Sequence, residues 1–334
     1  MTVNKRARPH FLTWFSKRGL VVCAFLTVSL LPVFADAFDV LLGTGAAGSF
    51  SHFTGRTICR IITKHAGDIQ CKVVSAPDDV YNLTNLQGGS LDMVLVDSLL
   101  LHDAIGKTGY FEFMDISYDN LRALIPLYDV PIALVVRKDA NVHTLEDLKG
   151  KRINAGAPRS LRHLAVDTIM KVKNWSKRDF RLIEELPSSH AQDTMAFCHG
   201  TIQGMLHIGV HPDPSLQKLF RLCKAGLIDM RDKDIEKLVN THPAFSKTDI
   251  AGNTYPSQPR AVITFGTRMM LIASGDLDDQ TVHRIIGALY EQQQKLTRAH
   301  PALSDITAQK VEKEQMGLPL HPGAVKYFTE KGLQ

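Results

Sequence analysis

A glycine-rich loop near the amino terminus is the first segment of this 334-residue chain that could hold a charged molecule. Gly43-Thr44-Gly45-Ala46-Ala47-Gly48 has the spacing G-x-G-x-x-G and stands between a predicted strand and a predicted helix. Backbone N–H groups at the start of such a helix can bind an anion. A dinucleotide site would also need an acidic residue about twenty positions further on at a strand end, and Asp78 and Asp79 come too late. The loop is therefore either an anion contact or a structural turn.

Two arginines occupy the corresponding junction of a later strand and helix. A guanidinium of Arg159 or Arg162 can bind a carboxylate in bidentate fashion. The alternative is that both are solvated arginines in the first turn of a helix. We predict a ligand site shared by the two junctions, to which the first contributes Gly43, Thr44, Gly45, Ser49, Ser51 and His52, and the second contributes Pro158, Arg159, Ser160 and Arg162.

Four more polar residues could serve the same site. Asp97 and Ser98 end a predicted strand, where each is either a helix N-cap or a ligand contact. His207 and His211 would share a face if Met205–His211 is extended, because the strand period is two. Zinc would need a third ligand that the sequence does not supply, so we expect no metal and keep His211 as a hydrogen-bonding candidate.

The sequence offers little to support catalysis. It contains no G-x-S-x-G elbow and no H-E-x-x-H helix. We therefore expect neither an enzyme nor a bound cofactor.

Strands and helices alternate in the region that carries the glycine loop. Strands are predicted at Phe38–Leu42, Ile69–Ser75 and Met93–Val96, with helices after the glycine loop and at Val80–Gln87. This alternation is typical of a parallel α/β sheet, whose ligands lie beyond the carboxyl ends of the strands.

A second unit of the same kind begins near residue 131. The segment Ile132–Val136 is a strong strand, Thr144–Gly150 is predicted to be a short helix with a capping box, and Lys151–Ala155 begins a second sheet. A β run at Ala261–Ala273 returns the chain to the first unit, which the amphipathic helix Val282–Ala299 closes. We predict a clamshell of two α/β lobes, residues 38–130 with 274–334 and residues 131–273, joined by two crossing segments around a ligand cleft.

The first residues have the pattern of an export signal. Five basic residues precede or border the apolar run Leu20–Phe34, and Ala35-Asp36-Ala37 follows it. We expect cleavage near Phe38 and a periplasmic protein; a permanent anchor is the alternative, but the run is shorter than the roughly twenty residues that span a bilayer. The leader carries most of the net charge of +5, and residues 38–334 hold 34 basic and 33 acidic residues, so we expect no nucleic acid partner.

Four cysteines follow the predicted leader. In an oxidising compartment an even number favours disulfides. Local pairing would join Cys59 to Cys71 and Cys198 to Cys223, although the sequence permits three connectivities.

Several motifs resemble one family of solute receptors. They are Gly43-Thr44-Gly45 before a helix with Thr54-Gly55 and Ile58-Cys59-Arg60, then Asp147-Leu148-Lys149-Gly150-Lys151-Arg152, Cys198-His199-Gly200-Thr201-Ile202, His211-Pro212, and Pro319-Leu320-His321-Pro322-Gly323-Ala324 followed by Tyr327 and Glu330-Lys331-Gly332. Together they resemble the TAXI-type receptors of tripartite ATP-independent periplasmic (TRAP) transporters. The resemblance implies a type II periplasmic-binding-protein clamshell, a small carboxylate ligand such as glutamate or a related acid, and a TRAP permease as partner.

The loops expected to face the cleft depart from the family pattern. Ser51-His52-Phe53 stand in place of Tyr-Tyr-Pro, Asp97-Ser98 in place of Gln-Ser, Pro158-Arg159-Ser160-Leu161 in place of Pro-Gly-Ser-Gly, and Pro77-Asp78-Asp79 in place of Gly-Gly-Ser. The ligand therefore need not be the family's usual one.

Three classes of function fit these observations. They are a monomeric transport receptor, a ligand-sensing partner of a membrane receptor, and an exported enzyme on the same fold. The resemblance favours the receptor, and fold alone does not separate the three.

Overall fold

The computed structural model describes residues 38–186, 190–304 and 317–333. The predicted leader, residues 1–37, lies outside the described residues. The chain then forms three strand–helix units: β1 (Phe38–Thr44), α1 (Phe50–His65), β2 (Ile69–Ser75), α2 (Asp79–Gln87), β3 (Met93–Asp97) and α3 (Ser98–Gly106). β1 lies between β2 and β3 and is parallel to both, as the alternation predicted. Each residue of β3 is buried, as is usual for a strand covered on both faces.

A long strand then leads into the second group of strands and helices. This strand is β4 (Leu121–Arg137). The elements that follow are β5 (Arg152–Asn154), α4 (Leu161–Val172), β6 (Leu182–Glu184), α5 (His190–Cys198), β7 (Gly204–Ile208), α6 (Pro214–Leu222), β8 (Ala225–Ile228), α7 (Lys233–Thr241) and β9 (Ser246–Ile250). β5 is parallel to both β6 and β7, so the second group repeats the plan of the first.

A second long strand, β10 (Val262–Ser274), returns the chain to the first group. The described strands form one ten-stranded sheet in the order β2-β1-β3-β10-β4-β7-β5-β6, with β8 paired to β4 and β9 to β10. β4 and β10 are antiparallel neighbours in the sheet, and Gly266 lies opposite Pro131 where both strands pass from one lobe to the other. Val130 packs in the first hydrophobic core, whereas Ile132 packs in the second. The predicted fold, two α/β lobes joined by two crossing strands, is confirmed.

The chain ends on helices that cover the first lobe. They are α8 (Asp279–Glu291), α9 (Gln293–Ala299) and α10 (Pro322–Glu330). Buried side chains of α8 and α10, including Ile285, Leu289 and Phe328, belong to the same core as Ile58 and Ile62 of α1. No helix within the described ranges is both long and apolar enough to cross a membrane.

Three predicted elements differ from those observed. The strand predicted at Ile132–Val136 is only the end of β4, because prolines at 126 and 131 hide the strand in sequence while pairing with β10 maintains it. The segment Thr144–Gly150 forms a single 3₁₀ turn at Leu145–Leu148, with the predicted capping box. The helix predicted at Val282–Ala299 begins earlier and divides at Gln292, which has non-helical φ and ψ angles of −107° and 20°.

Both disulfides have the local pairing that the sequence favoured. Cys59–Cys71 joins α1 to β2, and Cys198–Cys223 joins the end of α5 to the residue after α6. Their Cα atoms are 4.8 and 4.9 Å apart, within the usual range for a disulfide.

Candidate ligand-binding cleft

The glycine loop between β1 and α1 is a compact, hydrogen-bonded turn. Ser49 is the N-cap of α1, and its hydroxyl accepts the His52 N–H at 3.1 Å. The Gly45 N–H donates to the Ser51 hydroxyl at 3.2 Å, and a Cβ at Gly45 would lie 2.7 Å from that oxygen. The fully buried Thr44 hydroxyl lies 3.0 Å from Nδ1 of His52. The loop therefore fixes Ser49 at the positive end of a sixteen-residue helix.

The junction between β5 and α4 repeats this arrangement in the second lobe. Ser160 is the N-cap of α4, and its hydroxyl accepts the His163 N–H at 3.2 Å. Gly156 has a φ of +86°, and a Cβ there would meet Ser160 and Arg162. Buried Asn154 accepts the Gly156 N–H and donates to the Asp193 carboxylate. This short network joins the loop to α5.

The two arginines of this junction lie in different environments. Arg162 is 8% exposed, and its Nη1 lies 2.7 Å from the carboxylate of Asp193, which is 7% exposed. Arg159 is exposed, and its backbone N–H donates to the Tyr110 hydroxyl at 2.9 Å. Pro158 is also exposed. Of these three residues, Arg162 lines the cavity between the two junctions, whereas Arg159 and Pro158 do not.

A cavity of about 380 Å³ brings the two junctions together. Its polar lining comes from Ser49, Ser160, Arg162, Asp193, Thr194, His207, Asp213 and Ser215, and its apolar lining from Leu161, Met205, Ile208, Leu216 and Leu219. Of the residues predicted for the ligand site, Ser49, Ser160 and Arg162 line this cavity. Gly43, Thr44, Gly45, Ser51 and His52 do not line the cavity. Gly43 lies in β1, and the other four form hydrogen bonds at the β1–α1 junction that supports Ser49.

The third wall of the cavity, at the β7–α6 junction, was not among the predicted site residues. Asp213 caps α6 by accepting the Leu216 N–H at 2.9 Å, and its other carboxylate oxygen lies 3.9 Å from Nε2 of His207. Burial opposes ionisation of Asp213, but His207 and hydrogen bonds from Ser215 and Leu216 hold its pKa below the usual value. Asp followed by Pro after a strand is a helix-start pattern that could have indicated this third junction.

Asp97 and Ser98 are buried in the contact between β3, β10 and the second lobe. Asp97 caps α3 through the Leu99 N–H and accepts a hydrogen bond from Thr267, so the capping alternative describes its structural role. Burial raises the pKa of Asp97 to about 7. The Ser98 hydroxyl donates to the Ala244 carbonyl and accepts the Arg268 N–H. Neither residue lines the cavity.

His211 lines a different cavity from His207, although the centroids of the two imidazole rings lie 5.7 Å apart. β7 ends at Ile208, so the strand that the prediction extended to His211 stops before it. The Tyr255 hydroxyl accepts the Asp213 N–H at 2.9 Å and is therefore free to donate its own proton to Nδ1 of His211. Burial lowers the pKa of His211 to about 4. Within the described part of the chain, no group of three His, Cys, Asp or Glu side chains is placed to hold a metal ion.

Solved structures share this architecture at low sequence identity. A TctC solute binding protein from Polaromonas is 18% identical with a TM-score of 0.51, over 90% of this chain and 98% of that one. PhnD1 from Prochlorococcus marinus, in complex with methylphosphonate, is 11% identical with a TM-score of 0.50, over 89% and 99%. XAC2383 from Xanthomonas citri, bound to ATP, is 14% identical with a TM-score of 0.52, over 87% and 94%.

These similarities show a shared fold, the two-lobed α/β clamshell of type II periplasmic binding proteins. The sequence match is more specific and includes all three junctions of the cleft. Because residues 42–332 match the NMT1-like family, the chain belongs to that family.

Proposed function

We propose that this protein is an extracytoplasmic receptor that binds a small, carboxylate-bearing solute and delivers it to the membrane permease of a TRAP-type transporter. The TAXI subfamily of such receptors is the one its motifs resemble. The fold and the NMT1-like family membership support a solute-binding role.

One observation carries the proposal, namely the cavity in which the two strand–helix junctions meet. Ser49 and Ser160 begin helices of sixteen and twelve residues, and both line it. The amino-terminal ends of the helices supply positive potential and N–H donors for an anion. Because the two helices belong to different lobes, an anion held between them would couple binding to closure of the cleft.

Arg162 adds guanidinium hydrogen-bond donors to this cavity. Its Nη1 is paired with Asp193, but a guanidinium has five N–H donors, so one such contact does not exhaust its capacity. A carboxylate that accepts from Arg162 and from a helix terminus would form charge-assisted hydrogen bonds in a largely dehydrated site.

The solved neighbours support this use of the fold by analogy. PhnD1 was solved with methylphosphonate, a small oxyanion, and the Polaromonas protein is named as a solute binding protein. Both have the clamshell that this chain has.

Location and assembly follow from the same proposal. Two disulfides and the export signal in the sequence support a protein that folds outside the cytoplasm. We expect mass spectrometry of the exported protein to find an amino terminus near Phe38, and light scattering to find a monomer. An intact leader on the exported protein would contradict the first expectation.

A thermal-shift screen tests the ligand class. The panel contains amino acids, monocarboxylates, dicarboxylates, keto acids and uncharged sugars. A ligand present at a hundred times its Kd stabilises the folded state by about 2.7 kcal/mol, so a true ligand raises the melting midpoint. We expect carboxylates alone to do so. A response to sugars and to no acid would contradict the proposal.

Uptake measurements test the permease. Membrane vesicles that contain a TRAP permease from the same genome should accumulate the solute only when the receptor is added. Uptake that proceeds equally well without the receptor would contradict the proposed partnership.

A further inference from the structure

The lining of the cleft cavity combines two kinds of chemistry. Ser49, Ser160 and Arg162 contribute polar groups, whereas Leu161, Met205, Ile208, Leu216 and Leu219 contribute apolar surface. Met205, Leu216 and Leu219 are at most 6% exposed and belong to the hydrophobic core beneath the cavity. An apolar wall backed by a packed core is complementary to a hydrocarbon group.

The fixed charges of the cavity do not favour a ligand with two negative groups. The charge of Arg162 is already balanced by Asp193 at 2.7 Å. Asp213 adds a second carboxylate, whose pKa is held below the usual value by His207 at 3.9 Å and by hydrogen bonds from Ser215 and Leu216. A single anionic group can be held by the helix termini, but a second would lie near Asp213, and His207, 3.9 Å from that carboxylate, offsets its charge only when protonated.

We propose that the solute is a monocarboxylate with an apolar body, either aliphatic or aromatic, and that Asp213 excludes dicarboxylates. The inference rests on the proposed function and specifies the ligand class of that same cavity. The carboxylate lies toward Ser49, Ser160 and Arg162, and the apolar body lies against Ile208 and its neighbours.

Chain length and charge number give separate measurable effects. Each methylene added to a straight-chain acid buries more apolar surface and should tighten Kd about fourfold until the cavity is filled. Replacing the terminal methyl by a second carboxylate places like charges together and should weaken binding at least about tenfold.

Calorimetry on the purified protein with matched acids tests both effects. The monocarboxylates are butanoate, hexanoate and phenylacetate, and the dicarboxylates succinate and adipate match the first two in carbon number. We expect hexanoate to bind more tightly than butanoate, and adipate to bind at least about tenfold more weakly than hexanoate.

Asp213→Asn tests the residue assigned to exclusion. Asparagine also caps helices, so α6 should persist while the charge is lost. We expect the ratio of adipate to hexanoate Kd to fall several-fold. The matched control is Asp278→Asn, because Asp278 caps α8 in the same way and does not line the cavity. This variant should leave the ratio unchanged.

Ile208→Thr tests the apolar wall. It should weaken hexanoate and phenylacetate several-fold, whereas Ile228→Thr in β8, which does not line the cavity, should not. Melting midpoints of both variants establish that they are folded.

The possible outcomes separate the inference from the proposed function. Tight binding of adipate or succinate by the parent protein, or an unchanged Kd ratio in Asp213→Asn, overturns the inference and leaves a carboxylate receptor in place. Failure of all five acids to bind overturns the inference, and the carboxylate receptor falls as well if no amino acid or keto acid raises the melting midpoint in the thermal-shift screen.

Discussion

Arg159 and Arg162 stand three residues apart at one strand–helix junction, yet they have different environments. Arg162 is buried and paired with Asp193, whereas Arg159 is exposed with a φ of +69°. Arg159 precedes the N-cap Ser160, whereas Arg162 lies in the first turn of α4. The residue type alone therefore does not define a site, because the partner of each arginine comes from elsewhere in the chain.

Alanine substitutions should distinguish the two arginines. Arg162→Ala leaves the Asp193 carboxylate buried without its partner, so the free energy of unfolding should fall by about 3–5 kcal/mol. Arg159→Ala should change it by less than about 0.5 kcal/mol. Urea denaturation measures both.

A double variant separates stability from binding at this pair. Arg162→Met with Asp193→Leu removes both buried charges, so it should recover most of the lost stability. It should not recover carboxylate affinity, measured by calorimetry. Restored affinity in the double variant would contradict a ligand role for Arg162.

The buried carboxyl of Asp97 gives a pH dependence to which the neighbouring carboxyl of Asp79, whose pKa burial raises to about 6, also contributes. Burial raises its pKa to about 7 in the folded protein, from about 4 in an unfolded chain. The folded state then binds the proton more tightly, so this residue makes stability fall as pH rises from about 4 to about 7. Asp97→Asn retains a side-chain acceptor, and its stability relative to the parent should increase across that window and level off above it.

Asp278→Asn is the matched control for this titration. The carboxyl of Asp278 accepts the Thr281 N–H, which lowers its pKa. Its substitution should reduce stability relative to the parent once the pH exceeds about 4, which is the opposite sign. Denaturant titrations at several pH values measure both differences. A flat difference for Asp97→Asn would show that Asp97 does not titrate in this range.

The N-cap residues of three helices contribute polar groups to the cleft. Ser49, Ser160 and Asp213 each follow a strand, each caps a helix, and each lines the same cavity. β5 and β7 are parallel, so the helices capped by Ser160 and Asp213 begin at one edge of the sheet, and Ser49 of the first lobe faces them across the cavity. Local helix-start patterns and sheet topology together therefore place three caps around one cavity.

The disulfides should stabilise the lobes without affecting ligand binding. Each joins elements of one lobe, and the sequence separations are 12 and 25 residues. Loops of this size correspond to about 3 kcal/mol each on the chain-entropy account. Dithiothreitol, or Cys59→Ala with Cys71→Ala, should therefore lower the melting midpoint, while the ligand Kd stays within about threefold of the parent. A large loss of affinity would show that a bridge supports the cleft directly.

At the scale of the whole molecule, the paired strands β4 and β10 join the lobes, because each passes from one lobe to the other. Gly266 lies opposite Pro131, and a Cβ on Gly266 would lie 2.5 Å from the Val130 carbonyl oxygen and 2.9 Å from the Pro131 Cα. Arg268 pairs with Asp129 two register positions away. The close approach of the two backbones therefore depends on the absence of a side chain at position 266.

Gly266→Ala should separate the crossing strands. Because the obstructing atoms belong to the backbone, the free energy of unfolding should fall by about 1–3 kcal/mol. Gly226→Ala in β8 is the matched control, since the nearest atoms to its Cβ lie at 3.7 Å, an ordinary contact distance. Equal stability of the two variants in urea would contradict the close-packed crossing.

The sequence by itself determined the plan of the fold. Alternation of apolar strands with capped helices predicted both α/β lobes, and the return of the chain at Ala261–Ala273 predicted the second crossing. These features follow from local propensity and periodicity, which neighbouring residues encode. Cysteine spacing favoured the observed bridges but left three connectivities open, because pairing depends on distances in space.

The tertiary structure decided which polar residues meet. Ser49, Ser160 and Arg162 line one cavity, Asp97 is buried at the start of α3, and His211 lines another cavity. The tertiary structure also brought Asp193, His207 and Asp213 to the cleft, where they modify the charge of the site. The binding roles of these residues stay predictions. Burial and charge pairing arise between residues that are far apart in sequence, so no local pattern specifies them, and the chemistry of the cleft depends on them.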